Sequence, residues 1–305
     1  RCTGHLLMSN LHAKILEYAG RGEYIFPMIA SFGLMTIGLA AKSGQFPFHE
    51  GILSISSPEL YLEDGTALVK GLYAKYPQAL KELDGVKLLF THASGSLVIG
   101  TTTKPIRTLE DLKGLKINAN SAMIAERLKK LGVTVVSLPL SDIYSAMEQG
   151  VIEGTTMSPE LLVSRRYGDC LKYVTELAVQ NTLFYCVINQ DVYDSLPEDL
   201  RKVLDEVSGD FADKAFANYW ESVDVEATKK WRADMGGKEF ILFSDADYAK
   251  ARELMQPPVD EWFESLNKEG LPGADIKKTF YELEGKLGIK WTDSPIYKGY
   301  LETVK

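Results

Sequence analysis

An α/β fold in two lobes is what this chain predicts, on three observations. Residues 109–160 read strand, helix, strand, helix, with a polar or glycine turn at every change of element. The chain has 305 residues, about the size at which single hydrophobic cores stop growing. Residues 198–235 form one run with few breakers apart from Gly209, and about 30 helical residues at roughly 1.5 Å each outreach a single small lobe. The chain leaves and re-enters its α/β regions, so the lobes are predicted to be discontinuous, with the long helix spanning both. Residues 1–94 with 183–220 make one lobe and 95–182 with 221–305 the other, with a ligand cleft between them.

In chain order, residues 6–19 carry Leu7, Leu11, Ile15 and Tyr18 on one helical face, ended by Gly20 and Gly22. Residues 24–29 and 34–41 are short apolar segments, and 44–51 (GQFPFHEG) is an irregular loop. Residues 59–76 read as a helix with Leu68, Leu72 and Tyr76 on one face, and 86–90 as a strand that delivers Thr91 and His92 to its carboxyl end. After a short strand at 97–100, Thr108 and Asp111 form an imperfect capping box. Residues 115–117 are a strand, followed by a helix with Ile124, Leu128 and Leu131 facing a core and Gly132 closing it. Residues 133–138 are the next strand, and Leu140, Ser141 and Asp142 cap a helix that carries Ile143 and Met147 to Gly150. Residues 160–167 read as helix, 172–174 and 183–188 as strands, the latter continuously apolar like a buried strand. Ser195 is expected to cap a helix with Pro197 in its first turn, and Gly236-Gly237 ends the long run. A strand at 239–243 precedes helices at 244–254, 260–269 and 275–287, with Pro257-Pro258 interrupting, and the last residues read as a surface tail.

Composition excludes several functions. A net charge of -8, from 34 basic and 42 acidic residues without a basic cluster, argues against nucleic acid. No stretch of about 18 apolar residues marks a membrane span. The chain begins on Arg1 rather than Met, as a processed or trimmed protein would. Cys2, Cys170 and Cys186 lack CxxC spacing and read as free thiols, a Cys170–Cys186 bridge being the alternative. His5, His12, His49 and His92 show no metal spacing, and no nucleotide-binding glycine motif or GxSxG occurs, so neither cofactor nor metal is expected. Glu148 and Glu153 flank a glycine near the predicted cleft, but Glu148 reads as solvated, so an enzyme acting in the cleft is the lesser alternative.

In α/β units, small ligands gather just past the carboxyl ends of strands. Here those positions hold Asn118, Asn120 and Ser121, then Thr155, Thr156 and Met157, with His92 at the end of another strand and Phe184 and Tyr185 in the buried strand. Glu59 and Tyr61, at the start of the 59–76 helix, join them as candidate ligand-binding residues. Neutral hydrogen-bonders beside aromatic walls suit a small-solute pocket. Helix capping is the competing account of Asn118 and Ser121.

Four segments, QFPFHEGI (45–52), KPIRTLEDLKGLKI (104–117), LKKLGVTVVSLPLSDIYSAMEQGVIEGT (128–155) and VINQDVYDSLPEDLRKVLDE (187–206), occur in an order that resembles the DctP-type extracytoplasmic solute-binding subunits of TRAP transporters. The resemblance covers roughly residues 36–235. It implies a two-lobe periplasmic solute-binding fold, export to the periplasm, capture of a small organic solute, delivery to membrane permease subunits, and no catalysis. Family members usually place a carboxylate-binding arginine where this chain has Asn118, and often a second near the place of Val98. Their frequent Glu-Asn pair is Thr156 and Met157 here. The expected solute is therefore neutral, amine-bearing or largely apolar; the alternative is an organic acid held by a relocated arginine or lysine, with Arg107, Arg165 and Arg166 as candidates.

Overall fold

The computed structural model describes residues 62–93, 97–177, 179–180, 183–234 and 238–287, with positions 299, 301 and 302. The elements expected over 6–19, 24–29, 34–41 and 44–51 lie outside the described residues, as do Glu59, Tyr61, Cys2, the first three histidines and most of the tail.

Helix α1 (Leu62–Lys75) leads through a short 3-10 turn to β1 (Val86–Ala93) and β2 (Val98–Thr101). A central unit follows: β3 (Lys116–Asn118), α2 (Ala122–Lys130), β4 (Thr134–Val136), α3 (Ile143–Glu148) and β5 (Gly154–Met157). The short helices α4 (Leu161–Ser164) and α5 (Tyr167–Cys170) precede β6 (Tyr173–Glu176) and β7 (Leu183–Asn189). Then come α6 (Gln190–Ser195), α7 (Glu198–Glu206), α8 (Asp210–Asp234), β8 (Glu239–Leu242), α9 (Asp245–Ser265) and α10 (Gly273–Leu287).

The strands form two sheets. β1 pairs antiparallel with β7, placing His92 opposite Phe184, and the other six strands run in the order β4-β3-β5-β2-β6-β8. β3 lies parallel to both β4 and β5, β6 is parallel to β8, and β2 is antiparallel to its neighbours. The α2 stripe of Ile124 and Leu128 packs with Ile117 and Val133 on one face of the larger sheet, where α9 adds Ala251 and Met255. A second cluster joins α1, Tyr185 and Val187 of β7, Met157, Tyr167, Trp231 and Phe280. The chain passes from β1 to β2 and from β6 to β7 side by side, held where Leu97 N–H donates to Gln180 O at 2.7 Å and Val179 N–H to Leu97 O at 3.1 Å. Arg127 of α2, 4 % exposed, clamps this crossing with Nη1 on Val179 O at 2.8 Å.

The expected elements recur with corrections. The long run is two helices, not one: Gly209 adopts a left-handed φ of 57° and its N–H donates to Leu89 O of β1 at 2.8 Å, which turns the chain between α7 and α8. The remaining 25 residues of α8 still span about 37 Å and pack on β1, α1 and α4. Pro257 and Pro258 do not interrupt α9, because Met255, Val259 and Phe263 bury both halves against neighbouring helices. That burial outweighs the roughly 3 kcal/mol an interior proline costs. Ser195 closes α6 rather than capping α7, where Pro197 holds the cap position. Asp142 stands at the start of α3 without a side-chain cap, its carboxylate accepting from Ser141 Oγ instead. Cys170 and Cys186 are free thiols, one half-buried and one in the β7 core, which removes the alternative of a bridge. Among the described residues no helix is long and apolar enough to cross a membrane.

Candidate functional site

The first half of the site is an aromatic stack on the smaller sheet. Phe90 and His92 lie two residues apart on β1 and so share a face, and the register sets Phe184 of β7 across from His92. α8 lays Phe216 and Trp220, four residues apart and thus on one helical face, over them. The His92 ring stacks between Phe184 at 4.9 Å and Phe216 at 4.7 Å, and Phe216 stacks on Phe90 at 4.9 Å. Trp220 Nε1 donates to His92 Nδ1 at 3.0 Å, so Nδ1 is an acceptor and the ring proton sits on Nε2. His92 is 6 % exposed while Phe184, Phe216 and Trp220 are half-buried, with Tyr219 exposed at the edge of the Trp220 ring. Tyr185, also a candidate, alternates to the opposite face of β7 and enters the core.

The second half sits at the carboxyl ends of β3 and β5. Asn118 closes β3, is 0 % exposed, and uses both ends of its amide: Nδ2 donates to Thr155 Oγ1 and Oδ1 accepts from Leu138 N–H, each at 3.1 Å. It is therefore not a helix cap, a task that falls to Ser121, whose Oγ accepts from Ile124 N–H. The Thr156 hydroxyl lies between Asn118 O at 3.2 Å and Oδ1 of the exposed Asn120 at 3.4 Å. Met157 is fully buried in the core beside Gly100. Thus Asn118, Asn120 and Thr156 are brought together, as are His92 and Phe184, whereas Tyr185 and Met157 face core.

Among the described residues no arginine or lysine bonds Asn118, Asn120, Thr155 or Thr156. Arg107 makes a two-pronged pair with Glu239, both bonds at 2.7 Å, and Arg166 pairs with Asp169 at 2.6 Å. Arg127 stays at the crossing, its guanidinium pushed down to about 10 by burial and still charged at neutral pH. No group of three or more His, Cys, Asp or Glu among the described residues is placed to hold a metal.

One residue absent from the sequence-based candidates is Asp224. It continues the α8 stripe of Phe216 and Trp220 by one more turn and is 0 % exposed. Oδ1 accepts from Glu160 N–H at 3.0 Å, just beyond β5, while Oδ2 receives no hydrogen bond among the described residues. Burial, aided by the nearby Glu160 charge, pushes its carboxyl up to about 8, against the pull of the Glu160 N–H. The sequence signal is an acid four residues after Trp220 and seven before Trp231 on a helix face that is otherwise buried.

The family model of bacterial extracellular solute-binding proteins, family 7 (DctP), matches residues 63–266. The C4-dicarboxylate-binding periplasmic protein DctP of Rhodobacter capsulatus is 26% identical over 190 residues, covering 62% of this chain and 56% of that protein. Over the matched regions the chain spans 46% to 61% of this and two further curated relatives. A TRAP periplasmic solute-binding protein from Desulfovibrio salexigens is similar in structure, with TM-score 0.67, 29% identity and coverage of 80% of this chain and 74% of that one. It was crystallised as an open complex with the C-terminus of a symmetry mate in its ligand-binding site. A marine-metagenome TRAP solute-binding protein specific for aromatic acid ligands, co-crystallised with 3-hydroxybenzoate, gives TM-score 0.70 and 26% identity, covering 80% and 77%. These likenesses agree with the two-lobe α/β architecture and with a family of binding proteins rather than enzymes. The chain belongs to family 7 of the bacterial extracellular solute-binding proteins, the DctP family.

Proposed function

We propose that this chain is the periplasmic receptor of a TRAP-type transporter, capturing a small organic solute and presenting it to membrane permease subunits. The lobes are residues 1–94 with 183–220 and 95–182 with 221–305, joined by the paired crossings at Leu97 and Val179–Gln180 and by α8. The packing of α10 on α1, where Tyr76 Oη donates to Asp275 at 2.6 Å, ties the end of the second segment back to the first lobe. The solute lies between the aromatic stack and the ends of β3 and β5, and its binding shifts an open–closed equilibrium toward the closed form.

The solute is neutral, amine-bearing or largely apolar. One observation carries this: Asn118, where the family resemblance places an arginine, is buried with its amide already bonded to Thr155 and Leu138, and among the described residues no arginine or lysine is hydrogen-bonded to it. A carboxylate enclosed there without a counter-charge loses several kcal/mol. A second reading, an organic acid held by a relocated cation, draws support from the carboxyl-bearing ligands of the two solved relatives. Thermal melting of the purified chain with succinate, 3-hydroxybenzoate, benzyl alcohol and benzylamine separates them. The alcohol or amine is expected to raise the melting temperature and succinate to leave it unchanged. Stabilisation by the acids alone selects the second reading.

A further inference from the structure

Asp224 is costly where it stands. A fully buried carboxyl with one oxygen unpartnered among the described residues carries a desolvation cost, and a buried polar group left unsatisfied in a native structure calls for an explanation. Its position supplies one. Phe216 and Trp220 rest on the His92 stack, and Asp224 lies one helical turn farther, about 6 Å along α8. There it meets the backbone of Glu160, three residues past Met157 of β5. The stripe thus runs from the aromatic half of the candidate site to the β5 half, with Asp224 at the changeover.

We infer that Asp224 is a solute-contacting residue, and that the solute it receives carries a protonated amine on an apolar or aromatic body. This rests on the receptor reading above and narrows it to the amine-bearing class. The ammonium donates to Oδ2, the body lies against the half-buried rings of Trp220 and Phe184, and remaining donors meet the neutral oxygens at Thr156 and Asn120. The charged group that faces Asp224 from the packed turn is Glu160, an acid, and no cation among the described residues acts on it. An incoming ammonium is therefore its counter-ion. Because the empty carboxyl stays protonated up to about pH 8, binding an ammonium at lower pH releases that proton to solvent.

The test is calorimetric titration of the full chain with benzylamine, benzyl alcohol and benzoate at about pH 6, 7 and 8, in buffers of differing ionisation enthalpy. Benzylamine is expected to bind most tightly, with about one proton released per molecule and affinity rising up to about tenfold per pH unit below 8. Asp224→Asn, which keeps the acceptor for Glu160 N–H, should weaken amine binding by about 100-fold and abolish the proton release. The proton count on the unaltered chain needs no variant, so a folding defect cannot mask the answer. Amine binding without proton release, amine binding untouched by Asp224→Asn, or a preference for benzoate or the alcohol overturns the inference while leaving the receptor intact. If none of these solutes, nor succinate, binds or raises the melting temperature, the receptor reading fails with it.

Discussion

Asp224→Asn should make the folded chain more stable at neutral and alkaline pH even as it removes the proposed solute contact. The native carboxyl is wholly buried and held up to about 8, against roughly 3.9 for an aspartate in the unfolded chain. Below about pH 4 both states are protonated and the residue carries no ionisation penalty. Between about 4 and 8 the unfolded state sheds its proton while the native state keeps it, so stability falls by up to about 1.4 kcal/mol per pH unit; above 8 the full penalty stands. At pH 7 that amounts to at most about 4 kcal/mol. The asparagine removes this but buries an amide N–H₂ where Oδ2 lacked a partner, which costs about 1–3 kcal/mol. The net gain at pH 7 is about 1–3 kcal/mol, or several degrees in melting temperature for a chain of this size. Paired urea unfolding curves at about pH 4.5, 6, 7 and 8.5 measure it, with the advantage of the variant growing as pH rises. A difference that is flat with pH, or a variant less stable near pH 8, would refute the buried-neutral carboxyl.

Four further substitutions probe the two half-sites and the frame. Trp220→Phe removes the donor to His92 Nδ1, so unfolding free energy should fall by about 1 kcal/mol, read by denaturant titration, with solute affinity falling too. Asn118→Ala strips the acceptor from Leu138 N–H and the donor from Thr155, with an expected loss of about 2–3 kcal/mol; a loss under about 0.5 would show that the amide does not tie β3, β5 and the post-β4 turn together. Gly154→Ala would set a Cβ 2.2 Å from Gly100 O inside the β5–β2 pairing and should yield little folded protein. Gly209→Ala has open space and only its left-handed φ against it, about 1 kcal/mol, and should fold. Soluble yield and melting temperature of the glycine pair compare the two cases.

The parts of the fold legible in the sequence are those set by local chemistry. The α2 stripe of Ile124 and Leu128, the Ser121 cap and the glycine stop are all contained within a dozen residues, and the structure reproduces them. The misread parts depend on partners distant in sequence. Gly209 looked like a tolerable glycine in a long helix until its N–H met Leu89, and Pro257-Pro258 looked like a stop until helix burial outweighed it. For the site, Phe184 and Tyr185 are both candidates, but adjacent residues of a strand point to opposite faces, so Phe184 stacks on His92 while Tyr185 enters the core. The helix phase of Asp224 is written in Trp220 and Trp231, but the approach of Glu160, which buries and bonds its carboxyl, is set by the tertiary fold.

On the proposed reading, Asn118 and Asp224 together set the electrostatic character of the site. Where relatives are expected to hold a fixed positive charge, this chain has an amide occupied by its own sheet, and on α8 it has an acid whose carboxyl is held neutral up to about pH 8. A fixed cation favours anions at any pH near neutrality, because a guanidinium does not lose its proton there. A buried, protonated aspartate instead admits neutral solutes without penalty and acquires charge only when an ammonium arrives to balance it. On the proposed reading, selectivity therefore lies in a proton: amines drive its release and are bound as ion pairs, uncharged aromatics are held by stacking alone, and carboxylates meet the Asp224 carboxyl, which on ionising takes their own sign. That ordering, amine over neutral over acid with the gap between amine and neutral narrowing as pH falls, is a signature that neither a relocated arginine nor a purely apolar pocket would reproduce.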